Sequence, residues 1–193
     1  APVATHFTLE TKEDTSASFA MLGTDVDQDK ISYQVVKEPL HGRLTENGNN
    51  QWTYVPFEQY AGDDSFSYRP FDGTVHGNIG LVKISVTEVN DAPVVQPSSF
   101  SLKEDGNIAI KLIASDPEGD QLVFNIVSQP TNGTLVGEGP RYTYTPTTDF
   151  NGEDSFQVTA SDGSLNSETA LISLVVESQN DAPSFEYNLA ALS

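Results

Sequence analysis

The chain has 193 residues, 28 of them acidic and 9 basic, for a net charge of −19, with no cysteine and 37% hydrophobic residues. That balance argues against binding nucleic acid or an anionic membrane surface, both of which need clustered Lys and Arg, and the missing cysteines exclude disulfides and thiolate metal sites. Alternating apolar residues mark a folded chain despite the charge, and no apolar run approaches the ~18 residues of a membrane span.

Ala1-Pro2 opens the chain, Asn90-Asp91-Ala92-Pro93 lies at its middle, and Asn180-Asp181-Ala182-Pro183 lies near its end. The marks are spaced 92 − 1 = 91 and 182 − 92 = 90 residues apart, which predicts two repeats of β-sandwich size. We read them as residues 1–91 and 92–181, with 182–193 as the start of a following repeat or a linker remnant, so the chain reads as a segment of something longer. Proline lacks the N–H donor that would let a strand run through the joint.

The repeats correspond element by element. Phe7 and Leu9 match Phe100 and Leu102, and Glu13-Asp14 matches Glu104-Asp105. Asp25-x-Asp27-x-Asp29 then matches Asp116-x-Glu118-x-Asp120, and Ile31-x-Tyr33-x-Val35 matches Leu122-x-Phe124-x-Ile126. Further on, Trp52-x-Tyr54-x-Pro56 matches Tyr142-x-Tyr144-x-Pro146, and Gly62-Asp63-Asp64-Ser65-Phe66 matches Gly152-Glu153-Asp154-Ser155-Phe156. Asp72-Gly73 matches Asp162-Gly163, and Val82-x-Ile84-x-Val86 matches Ile172-x-Leu174-x-Val176. Nearly every apolar match falls at a period of two, the signature of half-buried strands. Turn residues between them predict an all-β fold: two tandem seven-stranded antiparallel Greek-key β-sandwiches of immunoglobulin-like type. In the first repeat the strands end near Lys12, Gly23, Val36, Thr45, Val55, Phe71 and Glu88.

If each strand crosses the domain once, alternation assigns every loop to an end. Glu13, Asp63, Asp64, Glu88, Asn90 and Asp91 then fall at the lower end of the first repeat. Asp116, Glu118, Asp120 and Asp162 fall at the upper end of the second. Stacked end to end, these ten residues form one junction whose mutual repulsion calls for a cation; two charges ~4 Å apart at an effective dielectric near 20 cost about 4 kcal/mol. Oxygen ligands without His or Cys favour Ca2+ over zinc or copper. Half-sites remain at the ends: Asp25, Asp27, Asp29 and Asp72 above, and Glu104, Glu153, Asp154, Asn180 and Asp181 below. Each motif alone is also an ordinary Asx-rich turn; recurrence in both repeats, at the ends that alternation requires, favours the metal.

These residues carry a resemblance. Glu88-Val89-Asn90-Asp91-Ala92-Pro93 resembles the linker of cadherin repeats, Asp-x-Asn-Asp-Asn-Ala-Pro, with one residue fewer, and Asp116-Pro117-Glu118 and Ala160-Ser161-Asp162-Gly163 are similar to further cadherin motifs. Both repeats also look like the tandem cadherin-like or Ig-like repeats of bacterial surface proteins and giant secreted RTX-type adhesins, through Asn-Gly-x-Asp-Ser-Phe at 151–156, Ser-Asp-Gly at 161–163 and Asn-Asp-Ala-Pro. The resemblance implies an extracellular or cell-surface array made rigid by calcium, serving as spacer or adhesion segment. Arg69-Pro70-Phe71-Asp72 departs from the pattern, which has a small residue before the Asp.

Other constellations are weaker. His6, His41 and His76 lack a nucleophile at a recognisable spacing, and adjacent Asp63 and Asp64 on a strand point to opposite faces and cannot flank one glycosidic bond. Gly137 and Gly139 lie between strands with no helix behind them. We therefore expect no enzyme. The aromatic run Trp52, Tyr54, Phe57 and Tyr60 offers a sugar platform, against which stands core packing of Trp52 and Tyr54 on an inward strand. The expected function is a calcium-binding rigid spacer whose partners are calcium and neighbouring repeats; the alternatives are a carbohydrate-binding module or a homophilic calcium-dependent adhesion module.

Overall fold

Period-two alternation becomes strand throughout the computed structural model, which describes residues 1–180. The chain divides into two units, one from Ala1 to Val89 and the other from Asn90 onward. The first contains β1 (Val3–Ala4), β2 (Phe7–Lys12), β3 (Ala17–Ala20), β4 (Gly23–Thr24), β5 (Ser32–Lys37), β6 (Gly42–Gly48), β7 (Gln51–Pro56), β8 (Gly62–Phe71) and β9 (Gly80–Thr87). The second repeats the plan with β10 (Val94–Val95), β11 (Ser98–Lys103), β12 (Ile108–Lys111), β13 (Ala114–Ser115), β14 (Val123–Ser128), β15 (Gly133–Glu138), β16 (Arg141–Pro146), β17 (Gly152–Ser161) and β18 (Ala170–Glu177).

Each unit is a sandwich of a four-stranded and a three-stranded sheet, ordered β2-β9-β8-β5 and β3-β7-β6 in the first and β11-β18-β17-β14 and β12-β16-β15 in the second. Two features differ from the expected seven antiparallel strands. The first two strands of each unit are split, and the short outer pieces β1 and β4, or β10 and β13, pair with each other. The long piece of the first strand lies parallel to the last strand, Phe7 beside Val82 and Phe100 beside Leu174. Strict alternation sends the first and seventh strands the same way, so once they are neighbours they must pair parallel.

The inward residues of the strands form one core per unit. Tyr54, Tyr68, Phe66, Met21, Ile84 and Val82 are fully buried in the first, and Tyr144, Phe156, Ile110, Leu112, Ile172 and Leu174 in the second. At about 1.5–3 kcal/mol for each large apolar side chain, this burial holds the sheets together without staples. Trp52 and Tyr54 belong to this core, which removes them from any sugar platform.

Candidate metal centre

The loop after β4 carries Asp25, Asp27 and Asp29, which can place one ligand atom each within 4.8 Å of one another. The amide of Asp27 donates to Asp25 Oδ1 at 2.9 Å, an Asx turn that folds the loop back on itself. Asp25 Oδ2 is buried and has no hydrogen-bond partner, and the side chain is only 1% exposed. The amino group of Ala1 lies 3.7 Å from that oxygen. Asp72, at the same end, is used differently: its Oδ1 accepts the amides of Thr74 and Val75 at 2.7 Å. Those N–H groups, Val75 first, hold its carboxyl below the usual carboxylate range.

The second unit repeats the orphan. Asp116 Oδ1 accepts from the amide of Asp120 at 3.0 Å, while its Oδ2 is buried without a partner. Around it the start of the unit is tied to its own loops. Asn90 Nδ2 donates to Asp162 Oδ2 at 2.9 Å, and the Asp91 amide donates to Glu118 Oε2 at 3.3 Å. Asp162 Oδ1 accepts from Ser164 and Leu165 at 2.6 and 2.7 Å; the Leu165 amide, then Asn90, hold its carboxyl low. Thus Asn90 is bonded to Asp162, Asp91 to Glu118 and Asp120 to Asp116 in the second unit, while among the described residues the three carboxylates close enough to share one ion are Asp25, Asp27 and Asp29 of the first. A buried carboxylate oxygen left unpaired normally costs about 1–3 kcal/mol or more. Its occurrence at the same position in both units, among hard oxygen donors only, fits a calcium-sized cation.

At the opposite end of the first unit, Glu13 is buried, its amide donating to Thr87 O and its Oε1 accepting from the Val89 amide. Glu104 is buried in the same way against Glu177 and Gln179, and its Oε2 accepts from Asn151 Nδ2 at 3.4 Å. Both glutamates therefore grip the backbone leaving the last strand. Asp63, Glu88 and Glu153 are exposed; Asn180 is exposed too, and Asp181 lies outside the described residues.

Asp64 and Asp154 do something else. Asp64 Oδ1 accepts the amides of Leu40 and Ser65, and Oδ2 the amide of His41 and the Tyr54 hydroxyl, at 2.8–2.9 Å. Asp154 repeats this with Thr131, Ser155, Asn132 and Tyr144. Four donors occupy the four lone-pair positions of a carboxylate, so these two have no capacity left for a cation, contrary to the expectation that grouped them with the ligands. Burial alone would raise their pKa, and the amide and tyrosine donors together outweigh it and keep both ionised. Burial first, then the hydrogen bond to the Asp64 or Asp154 carboxylate and its charge, push the Tyr54 and Tyr144 hydroxyls far above their ordinary value. The signal was present in the alternation: Asp64 shares a face with Phe66 and Tyr68, so it had to point inward.

Among the described residues no helix is long and apolar enough to cross a membrane. The family model described as "Bacterial Ig domain" matches twice, over residues 1–85 and 90–175. Integrin beta-like protein C of Dictyostelium discoideum is 24% identical over 155 residues, covering 70% of this chain and 8% of that protein. The chain thus spans under a tenth of that relative. Among solved structures, human mucin-like protocadherin EC1-2 aligns with a TM-score of 0.52 at 18% identity over 93% of this chain and 99% of that one. The human desmocollin-1 ectodomain aligns at 0.54 and 12% identity, over 94% of this chain and 41% of that one. These likenesses are of fold, and they agree with the two sandwiches built above. With both units matched over most of their length, the chain belongs to the bacterial Ig domain family.

Proposed function

We propose that the chain is a calcium-stiffened spacer or adhesion segment of an extracellular protein, without enzymatic activity. The observation that carries this reading is the buried, unpartnered Oδ2 of Asp116 at the end of the second unit where Asn90 and Asp91 meet Asp162 and Glu118. In this reading Asn90, Asp91, Asp116, Glu118, Asp120 and Asp162 hold calcium at the start of the second unit, and Glu13, Asp63 and Glu88 are proposed as further calcium ligands. Asp25, Asp27, Asp29 and Asp72 are proposed as a like half-site in the first unit, and Glu104, Glu153, Asn180 and Asp181 as a further one. Bound calcium supplies positive charge to a region that otherwise repels itself. The residues named supply the coupling: Asn90 and Asp91 open the second unit and are bonded to Asp162 and Glu118, so occupancy there holds the segment that follows Val89 against that unit. It also stabilises the fold by RT ln(1 + [Ca]/Kd), about 2.7 kcal/mol at a hundredfold excess over Kd.

Calorimetric titration with CaCl2, read beside small-angle scattering, tests this. The wild-type chain should bind calcium and gain thermal stability, and its maximum dimension should become better defined than in EDTA. Asp116→Asn should lose the tightest binding phase. Unchanged scattering and melting on adding calcium would defeat the proposal.

A further inference from the structure

The lower turn of the first unit carries a surface that its twin lacks. Leu40, His41, Arg43, Val55 and Phe57 are exposed there, with Tyr60 half-buried beside them. The corresponding residues of the second unit are Thr131, Asn132, Thr134, Thr145, Thr147 and Phe150. Five of six positions change from apolar, aromatic or basic to small and polar on one scaffold, so folding does not demand the first set.

The patch is contiguous and rigid. Arg43 and Val55 are cross-strand partners, and the Arg43 guanidinium carbon stands 6.0 Å from the centroid of Phe57. The rings of His41 and Tyr60 stack at 4.1 Å with 2° between planes. The Phe57 amide donates to His41 O at 2.8 Å, and the Tyr60 hydroxyl donates to Asp63 O at 2.7 Å. Beneath it Asp64 clamps the amides of Leu40 and His41. Arg43 is exposed, and its charge stands at the surface beside Phe57.

Exposed aromatic surface beside an exposed guanidinium suits a sugar ring with an acidic substituent: the ring surface left uncovered by the His41–Tyr60 stack and the Arg43–Phe57 contact takes its apolar C–H face, and the fork of Arg43 takes a carboxylate or sulfate bidentately. Six residues are too few for a protein partner, whose standard interface takes about 20–30 residues a side, and suit one or two sugar units. The net charge of −19 repels polyanions over a Debye length of about 8–10 Å. We propose that this patch is a binding site for glycans ending in a single acidic sugar, a uronate, sialate or singly sulfated residue. The site adjoins Asp63, which the calcium reading also uses, through the Tyr60 hydroxyl, whereas Arg43 and Phe57, the residues substituted below, are not among the metal ligands.

The test is the intact chain in calcium buffer on an array of neutral, singly acidic and polyanionic glycans, followed by NMR titration with the strongest hit. Signal on singly acidic glycans is expected, carboxylate and sulfate versions telling the two anions apart, with neutral parents bound at least tenfold more weakly. Arg43→Thr and Phe57→Thr borrow the second unit's own residues and should keep the fold, seen as unchanged Trp52 fluorescence, while each weakens binding at least tenfold. No array signal, equal binding of neutral parents, or binding indifferent to both substitutions would overturn the proposal. So would Arg43-dependent dimerisation in sedimentation, which would make a second copy the partner.

Discussion

The two units share an interior and differ at their rims. Around Asp64 and Asp154 the four donor distances agree within 0.1 Å from one unit to the other. A Cβ placed on Gly42 or Gly133 would come within 2.3 or 2.4 Å of the tyrosine ring of the same lock. Yet the exposed side chains of Leu40, His41, Arg43, Val55 and Phe57 differ in character from their counterparts Thr131, Asn132, Thr134, Thr145 and Thr147. The difference separates two kinds of demand on one scaffold. A buried carboxylate and its donors must be kept whole, because half a network costs more than none; an exposed turn is free to acquire whatever contacts the molecule uses.

The sharpest way to break this comparison is to remove the shared part. Asp64→Ala leaves the Tyr54 hydroxyl and the Leu40 and His41 amides without their acceptor in a buried place. The cost should be about 3 kcal/mol or more, in the range for breaking a buried charged network. Asp154→Ala should cost the second unit as much. Trp52 is the only tryptophan and sits in the first core, so denaturant unfolding followed by its fluorescence should register the first substitution and be nearly blind to the second. Equal response to both would mean that the units do not unfold separately.

Acid should expose the same lock with a smaller effect. The folded pKa of Asp64 and Asp154 lies below the ordinary carboxylate value, so the unfolded state takes up their protons first as pH falls. The stability they contribute is complete above the unfolded value near 4 and is lost as pH drops through the folded value. In EDTA, stability should rise slightly from pH 7 toward 5 as general repulsion relaxes, then fall steeply below about 4. Asp64→Asn should flatten that lower limb for the first unit alone; an unaltered limb would show that other carboxylates set it.

Much of this was legible in the chain before any coordinates. Period two gave the strands, and predicted ends such as Lys12 and Phe71 coincide with those observed. Alternation put Asn90 and Asp91 at the lower end of the first repeat and Glu118 and Asp162 at the upper end of the second, whereas Asn90 and Asp91 belong to the second unit and bond Asp162 and Glu118 there. It did not give adjacency, so the parallel pairing of β2 with β9 was missed although its direction was implied. Asp64 and Asp154 were misplaced because charge was weighed above facing, when Phe66 and Tyr68 already showed which way they pointed. The orphaned oxygens of Asp25 and Asp116 were beyond reach, because their burial depends on how a loop wraps and on no local pattern.

The smallest expected effect concerns the hairpin where the repeats differ by one residue. In the first unit the Asn50 side chain replaces a backbone: Oδ1 accepts from the Met21 amide at 3.2 Å and Nδ2 donates to Met21 O at 2.8 Å. In the second, one residue shorter there, the Leu112 amide donates to Pro140 O at 2.8 Å. Asn50 sits at φ 58°, a conformation in which Asn is at ease and Ala is strained by about 1 kcal/mol. Asn50→Gly removes the side chain and suits the backbone, so its cost should be that of the two lost bonds alone, about 1–2 kcal/mol. Asn50→Ala should cost about 1 kcal/mol more, by the strain just named. If the two variants unfold at the same denaturant concentration, the backbone is not held at that φ. If both match the wild type, the buried Met21 amide has found water, and the amide-for-backbone exchange is a coincidence of sequence.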